Sequence, residues 1–505
     1  MSNSRVNKGV KNIIWGGVSQ LLVLLIGLVL PRLIMMSYGS EVNGLFNSIN
    51  QIFNYIALLE AGIGTATIQA LYKPIVHNDR NEISSILVAT RNYFRKVTGI
   101  YFAAVVAVSL IFPFVIQSDI PKHEIIFVIL LHGLSNVLTF WFTSTLRQLM
   151  VANGDSFFVN NIALITTALS AVGKIILASI SANIILIQVS HLAINLIQIL
   201  IYTIIFKKKY SWVSFKAEPR NSALKQRNSF VVHEISTVIF NSTDMTLLSL
   251  FVNLAITSKY SIYNMVFGAL NTLFSTIHNS ISFVLGYSYV EGKEKYLKVH
   301  DAYVTYFCSI SFSLISVCYL LTLPFISLYT SGVTDVNYYD IKLPILFSVS
   351  AMLSLSRKAE SNLINIAGYA KKTIPNTIIE SGINLIVSLI LVNFLGIYGV
   401  LIGTIVALLY RANDMLWYAN KKILNRVPIK SYKTIFTNFA LFGLCAFIGN
   451  KINIVMNNYV DFVKWGVILS IIIVPLFLIV NSLVSIDSFC FVVSSIKRKN
   501  INKKG

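Results

Sequence analysis

Apolar runs of about 20 residues, separated by short polar connections, recur along almost the whole chain. At about 1.5 Å of rise per residue, a helical run of that length crosses the roughly 30 Å hydrocarbon layer of a bilayer. The pattern predicts spans over 12–37, 43–71, 97–117, 124–146, 157–178, 183–206, 229–252, 258–286, 302–328, 343–366, 375–394, 397–419, 434–453 and 462–485. The first run follows Arg5, Lys8 and Lys11 and so has the charge of a secretion signal. It continues from Ile13 to about Met36 without a small-residue cleavage site, which makes it a spanning helix instead.

The connections are too short to hold a soluble domain. The longest on one side lies around Tyr329–Lys342, and the longest on the other lie near 72–96 and 207–228. No G-x-x-x-x-G-K-[ST] motif occurs, so ATP hydrolysis by this chain is excluded. The expected fold class is an all-α integral membrane protein of about 14 transmembrane helices. A basic connection at 207–228 divides its first twelve spans into an N-terminal six-helix lobe (1–206) and a C-terminal six-helix lobe (229–432). Residues 433–505 add two further helices and a basic tail. Both lobes would begin on the same side, so any repeat is parallel. Its trace is the match between Val42-Asn43-Gly44-Leu45-Phe46-Asn47 and Lys259-Tyr260-Ser261-Ile262-Tyr263-Asn264.

Composition agrees with this pattern, with 55% hydrophobic and 12% charged residues. The net charge of +21 would invite a nucleic-acid reading if its placement were ignored. Alternate connections carry most of the cations, for example Arg5, Lys8 and Lys11, then Lys207, Lys208 and Lys209, and finally Lys497, Arg498 and Lys499. The intervening set carries only Lys122, Lys259, Lys342, Lys451 and Lys464. By the positive-inside rule both termini are cytoplasmic, in a multi-pass protein of the cytoplasmic (cell inner) membrane. The excess is then topology signal and attraction to anionic membrane lipids, and no nucleic acid is needed. Cys308, Cys318, Cys445 and Cys490 all sit in apolar stretches without metal-ligand spacing, so neither a disulfide framework nor a metal or other cofactor is expected.

Ionisable groups within spans are expensive and therefore candidates for function. Glu60 lies mid-span in Leu58-Leu59-Glu60-Ala61-Gly62-Ile63-Gly64-Thr65, where two glycines allow close approach or local unwinding. A carboxylate beside such backbone suits a proton or sodium relay, and a helix-packing motif is the alternative. Asp244, in Asn241-Ser242-Thr243-Asp244, offers four adjacent oxygen-bearing residues to a hard cation or an exchangeable proton, or else a polar interhelical contact. Arg357, Lys358 and Glu360 fall in the cytoplasmic third of span ten. Arg357 and Glu360 are spaced to pair on one helix face, whereas the cations could instead capture a phosphate. Arg32 follows Pro31 and could meet an anionic substrate or snorkel to the interface. Arg411 and Asp414 are spaced for a local salt bridge, and Lys174 and His278 read as isolated.

The chain resembles the polysaccharide transporter family, the O-antigen-type repeat-unit flippases of the multidrug/oligosaccharidyl-lipid/polysaccharide exporter superfamily. Leu30-Pro31-Arg32, Tyr38 to Phe46, Leu59-Glu60-Ala61-Gly62-Ile63-Gly64 and Ala70-Leu71-Tyr72-Lys73-Pro74 carry the resemblance. Gly368, Ile379-Glu380, Asn384, Gly396, Gly399, Gly403-Thr404 and Tyr410-Arg411 extend it over nearly the whole chain. Glu60 falls where similar lipid II flippases carry a glutamate, but their arginine cluster in the first two spans is largely missing here. The resemblance implies two six-helix lobes around a central cavity and no enzymatic activity. It implies translocation of an undecaprenyl-pyrophosphate-linked oligosaccharide for surface polysaccharide (O-antigen or capsule) biosynthesis, with a glycan polymerase as a partner acting on the delivered unit. On this reading Arg32, Arg357, Lys358 and Arg411 would hold the substrate, while Glu60, Asp244 and Glu360 would bind H+ or Na+ as coupling ion. A cation-coupled small-molecule or multidrug exporter of the same superfamily is the alternative. A membrane glycan polymerase or ligase fits less well, because such an enzyme usually needs a substantial outer loop.

Overall fold

The computed structural model describes residues 26–58, 63–224, 227–449, 451, 452 and 454–501. Among the described residues the regular elements are helices and there is no strand. Two compact units divide the chain at Ser258/Lys259. The first holds α1 (Ile26–Tyr38), α2 (Ser40–Ala57), α3 (Ile63–Val76), α4 (Arg80–Val115), α5 (Lys122–Ala152), α6 (Ser156–Ser179), α7 (Ile184–Lys209) and α8 (Arg227–Phe251). Helix α9 (Leu254–Glu291) starts in the first unit and continues into the second. There it is followed by α10 (Lys293–Tyr329), α11 (Lys342–Ser356), α12 (Lys358–Ile366), α13 (Ile374–Leu395) and α14 (Ile397–Tyr418). The chain closes with α15 (Ile429–Gly449), α16 (Tyr459–Val484) and α17 (Ile486–Ile501).

Every span predicted from hydropathy falls on helix over its described residues, with differences at the ends. Nine of the described helices are long and apolar enough to cross a membrane. Their surfaces match an apolar solvent: on α16, Ile471, Ile472 and Leu483 are 67%, 61% and 68% exposed. A continuous face of that kind would drive association in water, whereas in lipid it is the ordinary outer surface. The chain is thus an all-α multi-pass membrane protein. Span 43–71 corresponds to α2 and α3 on either side of residues 59–62, which include Glu60 and lie outside the described residues. Span 343–366, predicted as one helix, is two, because Arg357 ends α11 and opens α12.

In the first unit α8 belongs with α2. Asn43 Nδ2 donates to Ser258 Oγ at 2.7 Å, Tyr55 Oη and Thr243 Oγ1 share a hydrogen bond at 2.9 Å, and Gln51 Nε2 points at Met245 Sδ at 3.7 Å. Gly44 allows the approach, since a methyl there would stand 2.6 Å from the Leu254 carbonyl carbon. This polar seam carries the unit past the basic connection at 207–228 to Ser258. Beneath it, Leu45, Ile49 and Phe53 of α2 join Tyr101, Val105 and Ile129 in a buried apolar core.

Polar knots tie helix ends within each unit. In the first, Tyr210 Oη donates to Asp155 Oδ2 at 2.6 Å and Lys209 Nζ lies 2.7 Å from the same oxygen. Burial, together with that carboxylate, raises the Tyr210 phenol above its ordinary pKa. In the second, Asp340 accepts from Lys259 Nζ at 2.9 Å, Tyr398 Oη at 2.8 Å and the Lys342 backbone N–H at 3.1 Å. Burial opposes ionisation there, but the Lys259 and Tyr398 hydrogen bonds outweigh it and hold the Asp340 carboxyl below its ordinary pKa.

Candidate functional site

The break between α11 and α12 sends three charged side chains in three directions. Successive helix positions turn by about 100°, which sets Lys358 apart from Arg357, and the break at Arg357 interrupts the helix along which Arg357 and Glu360 would be neighbours. Arg357 reaches across to Glu380 on α13, and the pair is hydrogen-bonded through Arg357 Nη1. Glu360 points the other way, is fully buried, and accepts from Ser431 Oγ of α15 at 3.1 Å. The Arg357–Glu360 pair expected from their spacing is therefore not formed, because each has a partner on a different neighbouring helix. Lys358 faces a third direction, into a cavity of about 500 Å³ lined by Asn279 and Ser282 of α9 and by Ser361, Asn362 and Asn365 of α12. Asn362 is hydrogen-bonded to Ser282 across that cavity. His278 also lines it and is bonded through Nδ1 to Tyr303 Oη at 2.6 Å, so it is not isolated as its sequence context implied.

Behind the break, α13 and α14 form a tight antiparallel pair. Gly396 turns the chain at φ 53°, a left-handed conformation that suits glycine. Gly399 and Gly403, four residues apart, then let the backbones touch. A methyl on Gly403 would stand 2.7 Å from the Ser388 backbone nitrogen, and one on Gly399 2.5 Å from the Leu391 carbonyl carbon. Close packing brings the polar side chains of the pair together. Asn384 Nδ2 donates to Thr404 Oγ1 at 2.8 Å, and Arg411 Nη2 donates to Thr377 Oγ1 at 2.9 Å. Arg411 pairs with Asp414 as their spacing predicts, and its Nε lies 3.4 Å from Glu380 Oε2. Asn376 Nδ2 adds a 2.6 Å bond to Asp414 Oδ1. Arg357 and Arg411 are thus engaged with Glu380 and Asp414 in a charge-balanced network that fixes the broken span against the α13–α14 pair.

The first unit has a cavity of its own, about 470 Å³ in volume. Its polar wall is one stripe of α5, in which Thr139, Thr143, Ser144, Arg147 and Gln148 recur at helical spacing. Leu58 and Gly64, which border the undescribed residues around Glu60 in sequence, also line it, as does Asn54. Asp244 is buried on α8 beside the Thr243–Tyr55 contact, while Asn241 in the same run is exposed. The four oxygen-bearing residues therefore do not all converge. Arg32, half-buried on α1, lines neither cavity. Lys174 is not isolated either, since it stands within electrostatic reach of His132 and His191, whose rings stack at 5.3 Å.

Sequence reasoning missed Arg147 and Gln148, which lie just past the predicted span 124–146, and it missed the amides around Lys358. A signal was present. Lys358, Ser361, Asn362 and Asn365 fall at i, i+3, i+4 and i+7, and Thr139, Thr143 and Arg147 at i, i+4 and i+8. Each is a polar helical stripe inside an apolar span. Chemically, each cavity offers neutral hydrogen-bonding groups and one long cation. Such a set suits hydroxyl-rich and anionic groups, with Arg147 able to bind an oxyanion through two N–H groups.

Several solved membrane transporters share this fold. The chain is similar to lipid II flippase MurJ in an inward closed conformation, with a TM-score of 0.64, 16% identity, and 94% of this chain and 99% of that one covered. It is similar to an inward-facing multidrug resistance MATE family transporter of the MOP superfamily, with a TM-score of 0.61, 12% identity, and 85% and 98% covered. A MOP superfamily transporter from Pyrococcus furiosus gives a TM-score of 0.51 at 14% identity, with 84% and 96% covered. No family model matches the chain, and no match is found among curated proteins. At these identities the likeness establishes the fold alone.

Proposed function

We propose that this protein is a flippase that moves a lipid-linked oligosaccharide, carried on a polyprenyl diphosphate, from the cytoplasmic to the outer leaflet of the cytoplasmic membrane. The observation that carries the reading is the pair of cavities lined by amides, hydroxyls and a single cation each, around Arg147 and around Lys358. A glycan offers many hydroxyls and a diphosphate offers charge, so both kinds of lining group find partners. Similarity in fold to a lipid II flippase supports the same class of cargo. Lys358 and Arg147, each in its own cavity, offer a cation to an anionic group of the substrate, and the Arg357–Glu380–Arg411–Asp414 network holds the broken helix that presents Lys358. Arg32 and Arg411 contribute to substrate only if a change of conformation frees or redirects them. Glu60, Asp244 and Glu360 are the carboxylates through which H+ or Na+ couples to transport, both termini are cytoplasmic, and a membrane glycan polymerase uses the delivered unit.

A second reading, a cation-coupled exporter of small amphipathic molecules, is supported by the fold likeness to the MATE transporter. Complementation separates the two. In a strain lacking its repeat-unit flippase, the wild-type chain should restore surface glycan, and Lys358→Gln and Arg147→Gln should fail at equal membrane abundance. Absence of restoration with several repeat units, together with resistance to cationic dyes on expression, overturns the flippase reading in favour of the exporter.

A further inference from the structure

The second unit contains a group of buried polar atoms that neither cavity uses. Glu360, His300 and Tyr296 each have 0% exposure. Glu360 Oε1 accepts from Ser431, but Glu360 Oε2, His300 Nε2 and Tyr296 Oη have no hydrogen-bond partner among the described residues. Buried polar atoms are normally satisfied, and leaving three of them open in one place is costly unless the place holds something exchangeable. The three are neighbours: the Tyr296 and His300 rings lie 5.6 Å apart, and Tyr296 and His300 both interact electrostatically with Glu360.

The charges around the group are otherwise accounted for. Arg426 binds Asp301 through two hydrogen bonds, at 2.9 and 2.6 Å, and Asn420 through its Nε at 2.8 Å. His300 Nδ1 lies 3.5 Å from Arg426 Nη2 and 3.6 Å from Asp301 Oδ1, so its other face, with Nε2, is left open. Among the described residues no cation comes within ion-pair distance of Glu360. The other titratable groups facing it are Tyr303 and Cys308 of α10 and Tyr432 of α15.

The group also has a route to water. A cavity of about 360 Å³ has Asp301, Lys430, Ser431 and Thr434 in its wall. Ser431 is the residue bonded to Glu360, and Asp301 is the neighbour of His300. Ser431 is therefore shared between the wall of this cavity and the buried carboxyl. Lys430 and Lys433 place the cavity at an end that bears a basic connection, which is cytoplasmic under the proposed topology.

We infer that Glu360, His300 and Tyr296 form a proton-exchange site, loaded from this cavity through Ser431. A hydronium in the cavity gives a proton to Ser431 Oγ as the Ser431 hydroxyl proton passes to Glu360. The site gains one proton and water is left behind. The open Oε2, Nε2 and Oη atoms accept or share that proton in its bound position. Coupling this site to transport rests on the function proposed above, whereas the site itself does not.

The test needs no transport substrate. Full-length protein in lipid nanodiscs is titrated from about pH 4 to about pH 9, a range that brackets ordinary carboxyl and imidazole titration, while the carboxylic C=O infrared stretch is followed in H2O and D2O. The wild type should show a titrating band with a deuterium shift that is missing from Glu360→Gln, and Ser431→Ala should slow the deuterium exchange. His300→Asn should move the midpoint by about one pH unit, a tenfold change in proton affinity. If Glu360→Gln does not yield monodisperse protein, the His300→Asn midpoint and the Ser431→Ala exchange rate decide the matter. Identical wild-type and Glu360→Gln spectra, or an unmoved midpoint with an unslowed exchange, overturn the proposal. Failure of complementation would leave these spectra unaffected, so the two proposals fail separately.

Discussion

Replacing Arg411 by methionine should unbalance the buried network that holds the broken span. The Arg411 side chain is 3% exposed and faces both Glu380 and Asp414, while Arg357 is the other cation of the network. Arg411→Met leaves two carboxylates to share one guanidinium, and removing one partner from a buried ion pair costs about 3–5 kcal/mol. That lowers the ratio of folded to unfolded protein by between about a hundredfold and a few thousandfold. The double variant Arg411→Met/Asp414→Asn removes one charge of each sign and keeps the Arg357–Glu380 pair. It should recover most of the loss, to within about 1 kcal/mol of the parent. Unfolding of the detergent-solubilised protein, followed by tryptophan fluorescence for the parent, both single variants and the double, gives the coupling energy directly. An Arg411→Met protein as stable as the parent, or a double variant no better than Arg411→Met, would refute the charge-balance argument.

Three further outcomes follow from other parts of the molecule. Gly403→Leu forces its new side chain against the Ser388 backbone, where even a methyl stands at 2.7 Å. It should destabilise the α13–α14 pair by about 1–3 kcal/mol, read as a lower midpoint in the same unfolding assay. The Asp340 carboxyl has a folded pKa below its unfolded one, so the stability it supplies is present above the unfolded value of 3.8 and is lost as pH falls below it. Acid unfolding between about pH 5 and about pH 2 should therefore be shallower for Asp340→Asn than for the parent, and parallel curves would contradict this. Lys358→Gln should weaken binding of inorganic pyrophosphate by about tenfold, as expected for loss of a charge-assisted hydrogen bond. Isothermal titration against the parent checks it, with unchanged affinity counting against Lys358 as the anion ligand.

Much of the fold was legible because bilayer insertion imposes one simple rule, the length of an apolar run, on every span. The close approach of α13 and α14 could be anticipated from Gly399 and Gly403, where only the absence of a side chain permits contact. Pairing across helices was harder to read. Arg357 and Glu360 have the spacing of a local pair, yet Glu380 and Ser431, distant in sequence, claim them. Local spacing did suffice for Arg411 and Asp414, which share one helix and lie close enough to pair along it. The cavities escaped notice because Arg147 lies just past the predicted span 124–146, where a cation reads as topology signal, although α5 continues to Ala152. Neutral amides such as Asn362 and Asn365 also carry no charge to flag them, although their helical spacing beside Lys358 did. The break at Arg357 has no glycine or proline to announce it.

The central claim is tested most directly by reconstituting the purified protein in liposomes that hold a fluorescent polyprenyl-diphosphate oligosaccharide in both leaflets. A membrane-impermeant reductant then quenches whatever label reaches the outside. The account predicts that quenching proceeds past the outer-leaflet half with wild-type protein, and stalls at that half with Lys358→Gln and Arg147→Gln. Quenching that stalls at half for the wild type as well, while the same vesicles move a cationic dye, would contradict it.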